Sequence, residues 1–210
     1  PGRVFSGPVN LSALAPTFLE AAGLKVPGMM TANGLLDVIE NEPKSARLAA
    51  FIAMERHDGC RKGGKGYPCR AIRTKDYMYI LNHKPDRWPA GNPDREFCAR
   101  YIPFGEVDSS PTKSLLMDNK GKPGFKRFYD LAFAKRPAEE LYDLKKDPGQ
   151  IENVAGKPEY AAIQRKLGAQ LKNRLRQTKD PRALGLDAPW DYYPYYGAMR
   201  NKDWAVDPKP

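Results

Sequence analysis

The sequence predicts an α+β fold in which a small antiparallel sheet is covered by a long terminal helix. Three observations lead there. Along "KPEYAAIQRKLGAQLKNRLRQTKDP", Tyr160, Ile163, Leu167, Leu171 and Leu175 recur on one face, with Lys and Arg opposite and Pro158 at the start. The β-branched and aromatic runs "CRAIRT" and "YMYILN" are separated by Lys75-Asp76, the spacing of a hairpin. A further strand, Glu140 to Lys145, runs into an Asp-Pro-Gly turn in which Pro148 presets one φ and Gly149 supplies a positive one.

The remaining elements follow in chain order. "NLSALAPTFLEAAGLKVPG" reads as a helix with Leu14, Phe18 and Ala22, or Leu11, Leu14, Phe18 and Ala21, on its apolar face and Gly23 as the residue that ends it. "RLAAFIAME", Arg47 to Glu55, is a continuous apolar run flanked by charge, the pattern of a strand buried on both faces. The Gly-rich loop "ERHDGCRKGGKGYP" follows it. Residues 83–124, rich in Pro, Gly and polar side chains, read as a long excursion with one helical turn near "SLLMDN". "FKRFYDLAFAKRP" reads as a helix that stops before Pro137. On this reading residues 1–66 are a piece of a larger α/β domain, 67–180 hold the sheet and its helix, and 181–210 form an aromatic tail containing "WDYYPYYG".

The 210 residues carry 41% hydrophobic side chains and a formal net charge of +10. Such a field attracts polyanions, from nucleic acid to sulfated or phosphorylated glycans, but the basic residues are spread along the chain and select none of them. No apolar run approaches the length of a membrane span, and the first residues lack the pattern of a signal peptide. "PGRVFSGPVN" has no initiator Met and reads as the middle of a longer protein. Cys60, Cys69 and Cys98 cannot all pair within the chain. Cys60 and Cys69 suit a short disulfide loop, and their spacing does not suit a zinc knuckle or ribbon.

Several chemical motifs fail on inspection. Counted from Asp143 as an EF-hand loop, position three is Lys145, position six Pro148 and position twelve Val154, so calcium has no ligands there. "GCRKGGKG" approximates a phosphate-binding loop, yet Gly66 stands where Ser or Thr must hold Mg²⁺, and an extended segment follows. The chain has neither a Gly-x-Ser-x-Gly elbow nor a His-Glu-x-x-His motif, and no residue is assigned as catalytic or as a metal ligand. "ERHD" directly after the apolar strand is the stronger candidate, because the ends of such strands are where α/β enzymes place chemistry. Glu55, Arg56 and His57 there supply an acceptor and two donors for an anionic or hydroxylated ligand. His83 has no evident partner in the sequence.

"ELYDLKKDPGQIENVA" and the amphipathic segment after it resemble the C-terminal end of sulfatases of the alkaline-phosphatase superfamily, with Gln150 where the family usually shows Glu. "LAPTFLEAAGLKVP" is similar to the helix that follows the catalytic half of those proteins. "YPCRAIRTKDYMYILNHKPDRWPAGNP", "FAKRPAEELYDL" and "DYYPYYG" are similar to a bacterial branch close to heparan N-sulfatase (sulfamidase). The resemblance implies a sulfuric ester or sulfamate hydrolase acting on a sulfated small molecule or glycan, in the periplasm or outside the cell. It implies a formylglycine nucleophile, made from a Cys/Ser-x-Pro-x-Arg motif, and a calcium ion. That motif is absent from this chain, so both would reside in an N-terminal catalytic half, which becomes this chain's partner. Residues 1–66 would then be the end of the catalytic domain and 67–180 the C-terminal subdomain. By the same resemblance Glu55, Arg56 and His57 line the mouth of the pocket and bind substrate. A non-catalytic glycan-binding protein derived from a sulfatase is the alternative. A nucleic-acid-binding module is disfavoured, since neither a reading helix nor a basic and aromatic sheet face is recognisable.

Overall fold

The computed structural model describes residues 4–40, 49–94, 102–186 and 188–193. Cys98, Arg47, Leu48 and the end of the aromatic tail lie outside these residues. The elements in order are α1 (Leu14–Ala21), α2 (Leu36–Glu40), β1 (Ala50–Met54), β2 (Cys69–Arg73), β3 (Tyr77–Asn82), α3 (Pro111–Asp118), α4 (Pro123–Phe133), β4 (Glu139–Asp143) and α5 (Ala161–Gln177). The four strands form one antiparallel sheet in the order β1-β2-β3-β4. This is the expected α+β arrangement.

Register follows from alternation. Phe51 faces Ile72, Ile72 faces Tyr79 and Tyr79 faces Leu141, so one row of large side chains crosses all four strands on the same face. Leu167, Leu171 and Leu175 of α5 pack on that row, joined by Tyr160 and Val154, and all are buried. Ile163, predicted for the same stripe, is partly buried at its margin. Arg174, which the stripe assigns to solvent, instead lies over the Phe51 ring at 5.7 Å. The opposite face of the sheet holds a buried polar set. Asn82 donates to Glu140 at 2.7 Å, and the Tyr142 hydroxyl donates to the other Glu140 oxygen at 2.6 Å.

The turn after β4 is built differently from the expectation. The left-handed residue is Gln150, at φ 55, and not Gly149. Asp147 accounts for this: its carboxylate accepts the main-chain N–H groups of Ile151 and Glu152 at 2.7 and 2.8 Å and winds the chain around itself. Asn153 then accepts from Leu141 N–H, and Val154 N–H donates to the Leu141 carbonyl, so this segment covers the edge of β4.

Three other expectations change. Among the described strands β1 pairs only with β2 and so is an edge, with Ile52 and Met54 exposed; an apolar run by itself cannot distinguish an edge from a centre. In α1 the buried residues are Pro16 and Thr17, whereas Leu14 and Phe18 are exposed, so no described residue covers its apolar stripe. Gly23 does end this segment, at φ 69, with Leu24 N–H returning to the Leu19 carbonyl. The excursion after β3 contains a full helix, α3, capped by Ser110, and a second core in which Phe104 stacks on Phe133 at 4.7 Å. Among the described residues no helix is long and apolar enough to cross a membrane.

Candidate functional site: the strand end at Glu55 to His57

Alternation along β1 fixes where Glu55 goes. Phe51 and Ala53 share the α5 face, and Glu55, two residues on, turns the same way. It meets Arg70 there, because Ala53 and Arg70 are paired in the register. Arg70 Nη2 donates to Glu55 Oε1 at 2.6 Å, and Arg70 Nε donates to Asp180 at 2.7 Å. Arg182, just past α5, donates to Glu55 Oε2 at 2.7 Å and forms a two-pronged pair with Asp191 at 2.8 Å on each prong. Three carboxylates thus share two guanidiniums in a largely buried cluster. Arg182 also lies over the Trp190 ring, and Lys65 over the Tyr192 ring, so this part of the tail packs on the domain.

The cluster perturbs its members in a consistent sense. Burial pushes the Glu55 carboxyl up, but hydrogen bonds from Arg182 and Arg70 outweigh it and leave Glu55 below its ordinary value. Asp180 and Asp191 behave the same way: burial opposes ionisation, and Arg70 and Arg182 respectively overcome it. Burial would lower Arg70 and Arg182, yet their carboxylate partners raise both. His83 borders this set, and burial together with the positive charge of Arg70 holds its imidazole below the usual histidine value.

Arg56 and His57 leave in other directions. Arg56 Nη1 makes a long hydrogen bond of 3.4 Å to the Gly64 carbonyl. The returning loop passes so close that a Cβ on Gly66 would sit 2.8 Å from Arg56 N, which explains a glycine at this position. His57 points outward, with 79% of its side chain exposed, and its Nδ1 lies 2.8 Å from Glu106 Oε2. Glu106 Oε1 accepts from Arg61, which is buried. The three residues singled out in the sequence therefore do not converge. Glu55 is held inside an ionic cluster, and His57 presents an open imidazole at the rim.

Sequence reasoning missed Arg61, Arg70, Glu106, Asp180, Arg182 and Asp191. Their ionic side-chain partners lie between 9 and 127 residues away, and no local spacing announces them. Cys60 and Cys69 are free thiols, and burial raises the Cys69 thiol. Among the described residues no group of three or more His, Cys, Asp and Glu side chains is arranged for a metal ion. The carboxylates of the cluster are already neutralised by arginine. The described residues therefore do not fit a calcium ion.

No protein-family model matches the chain. It is similar to an ulvan-active sulfatase of Formosa agariphila, with 26% identity over 167 residues, covering 80% of this chain and 28% of the relative. It is also similar to the human N-sulphoglucosamine sulphohydrolase, with 28% identity over 195 residues, covering 86% of this chain and 34% of the relative. A solved structure of a protein in complex with its substrate D-glucosamine-2-N,6-O-disulfate aligns over 81% of this chain and 25% of that one, at 24% identity and a TM-score of 0.47. The chain spans about a quarter to a third of the length of these curated relatives. These relatives are sulfatases, and the chain is similar to only a part of each.

Proposed function

We propose that this chain is the substrate-facing C-terminal portion of a sulfatase that hydrolyses a sulfate ester or sulfamate on a sulfated glycan, outside the cytoplasm. Relatives named for ulvan and for N-sulphoglucosamine support the substrate class. The observation that bears most on the role of this portion is His57, an exposed imidazole held in place at the end of β1. Its Nε2 is open toward a sulfuryl oxygen or a sugar hydroxyl, to which a protonated ring donates a charge-assisted hydrogen bond. Arg56 borders the same loop and adds positive charge. Glu55 serves from below: it fixes Arg70 and Arg182, and through them the end of the strand that carries His57. Formylglycine supplies the nucleophile in sulfatases, and this chain has no Cys/Ser-x-Pro-x-Arg motif from which to make it. The chain by itself is therefore expected to leave sulfated substrates intact.

The test compares His57→Ala with Lys166→Ala, an exposed basic residue on α5, in the sulfatase that contains this chain. Removing a hydrogen bond to a charged group costs about 1.5–3 kcal/mol, so kcat/KM should fall roughly ten- to a hundredfold for His57→Ala. Lys166→Ala should keep parental kinetics. Parental kinetics in both would reduce His57 to a polar strand end.

A further inference from the structure

We infer that Glu106 is a positioning residue, which fixes the proton of His57 on Nδ1 and leaves Nε2 as the working atom; this rests on the proposal that His57 meets substrate. Most exposed histidine–carboxylate pairs have little consequence, because both side chains are free to move. This one is anchored from behind. Arg61, 2% exposed, donates from Nε to the Trp88 carbonyl at 2.7 Å and from Nη2 to the Pro89 carbonyl at 2.6 Å. Its remaining nitrogen, Nη1, donates to Glu106 Oε1 at 2.8 Å, which leaves Oε2 for His57.

The main chain at Glu106 is held as well. Glu106 N–H donates to the Ala90 carbonyl, and Val107 N–H donates to the Phe104 carbonyl. The buried Lys113 ammonium donates to the carbonyls of Phe104 and Val107 at 2.9 and 2.6 Å. Phe104 adopts φ 52, a left-handed conformation that costs a bulky residue energy, and it keeps it because its ring is packed against Phe133 and Trp88. Strain of this kind is tolerated where the surroundings over-determine the geometry. Here it presents Glu106 to His57 from a separate part of the chain.

The chemistry follows from what a carboxylate can do. Ionised Glu106 only accepts, so the ring nitrogen facing it must carry hydrogen. Neutral His57 is then the Nδ1–H tautomer with a free lone pair on Nε2, and protonated His57 gains its second proton on Nε2, the atom open to substrate. Glu106 thereby decides which ring atom takes and returns a proton.

Two histidines in the whole chain make the idea testable by nitrogen-15 spectroscopy of the imidazole rings, with His83 as an internal reference for folding. In the parent chain above the histidine titration range, His57 should show the Nδ1–H tautomer. In Glu106→Gln, Arg61 keeps the amide oxygen, the amide NH₂ turns to His57 Nδ1, and the tautomer should reverse to Nε2–H. Glu106→Ala should also favour Nε2–H, the form ordinary for an exposed ring. In the parent sulfatase, kcat/KM of His57→Ala/Glu106→Gln should match that of His57→Ala alone. A parent ring already in the Nε2–H form, or fully additive kinetic losses, would overturn the inference. Tautomer reversal combined with a kinetically silent His57→Ala would sink the substrate contact and leave the positioning role standing.

Discussion

At the scale of single residues, Arg182 ties the strand end to the segment that follows α5. It neutralises Glu55 and Asp191 together, with 7% of its side chain exposed. Removing it leaves the three carboxylates of Glu55, Asp180 and Asp191 with the single guanidinium of Arg70 in the cluster. Loss of one partner from a buried ion pair costs about 3–5 kcal/mol. Arg182→Ala should therefore lose on the order of 3 kcal/mol, with Arg182→Lys intermediate because an ammonium cannot make the two-pronged contact with Asp191. Chemical denaturation of the three proteins measures this; equal midpoints would show that water solvates the cluster more than its burial indicates. The motif residues of the β4 turn are explained at the same scale. The side-chain oxygens of Asp147 and Asn153 accept main-chain N–H groups, so these residues shape the turn.

Among the elements, α5 is where the sheet gains most of its apolar burial. Leu167 is 2% exposed and lies in the row formed with Tyr79 and Leu141. Leu167→Ala should cost about 2–5 kcal/mol, whereas Lys172→Ala on the exposed side should stay within about 0.5 kcal/mol. Equal effects in thermal denaturation would mean that the helix does not dock by this face. This element was legible in the sequence because a period of 3.6 over seventeen residues survives any context. The hairpin of β2 and β3 was legible for the corresponding reason, a period of two across a short turn. β1 was legible as a strand but not as an edge, since strand order depends on pairings that no local pattern contains. At the candidate site, the sequence singled out His57 through its neighbours, while the groups that hold it, Arg61 and Glu106, are distant in the chain and visible only in the fold. The position of α1 was missed for a simpler reason: periodicity shows that a face is apolar and says nothing of what covers it.

For the whole molecule, the ionisable groups set a pH response with a definite sign. Glu55, Asp180 and Asp191 titrate below their ordinary values of 4.5, 3.8 and 3.8 in the folded chain. The unfolded chain then binds protons more readily, so their contribution is complete above those values and is lost as pH falls through the folded ones. His83 acts earlier. Its folded value lies below the ordinary 6.5, so protonation favours the unfolded chain as soon as pH falls past that point. The melting temperature should decline in two stages on acidification, one starting near pH 6.5 and one in the carboxylate range. His83→Gln should remove the first stage alone; its persistence in that variant would assign it to another group.

The pairing of Glu55 with Arg182 closes a stretch of 127 residues, and that distance imposes a timetable. On the ribosome β1, β2 and β3 emerge well before Arg182, so Arg70 is the strand-end carboxylate's earlier arginine partner. The second arginine arrives only after all four strands and α5 have been made. Closing so long a loop is entropically late in refolding from denaturant as well. The ionic cluster is thus a clasp fastened at the end, absent from the rate-limiting barrier. Arg182→Ala should accelerate unfolding by nearly the whole of its stability loss and leave the refolding rate almost untouched. A stopped-flow chevron whose refolding limb slowed instead would place the clasp in the folding nucleus. Fastened last, it governs how long the imidazole rim of this chain persists once formed, and has no part in how quickly that rim is reached.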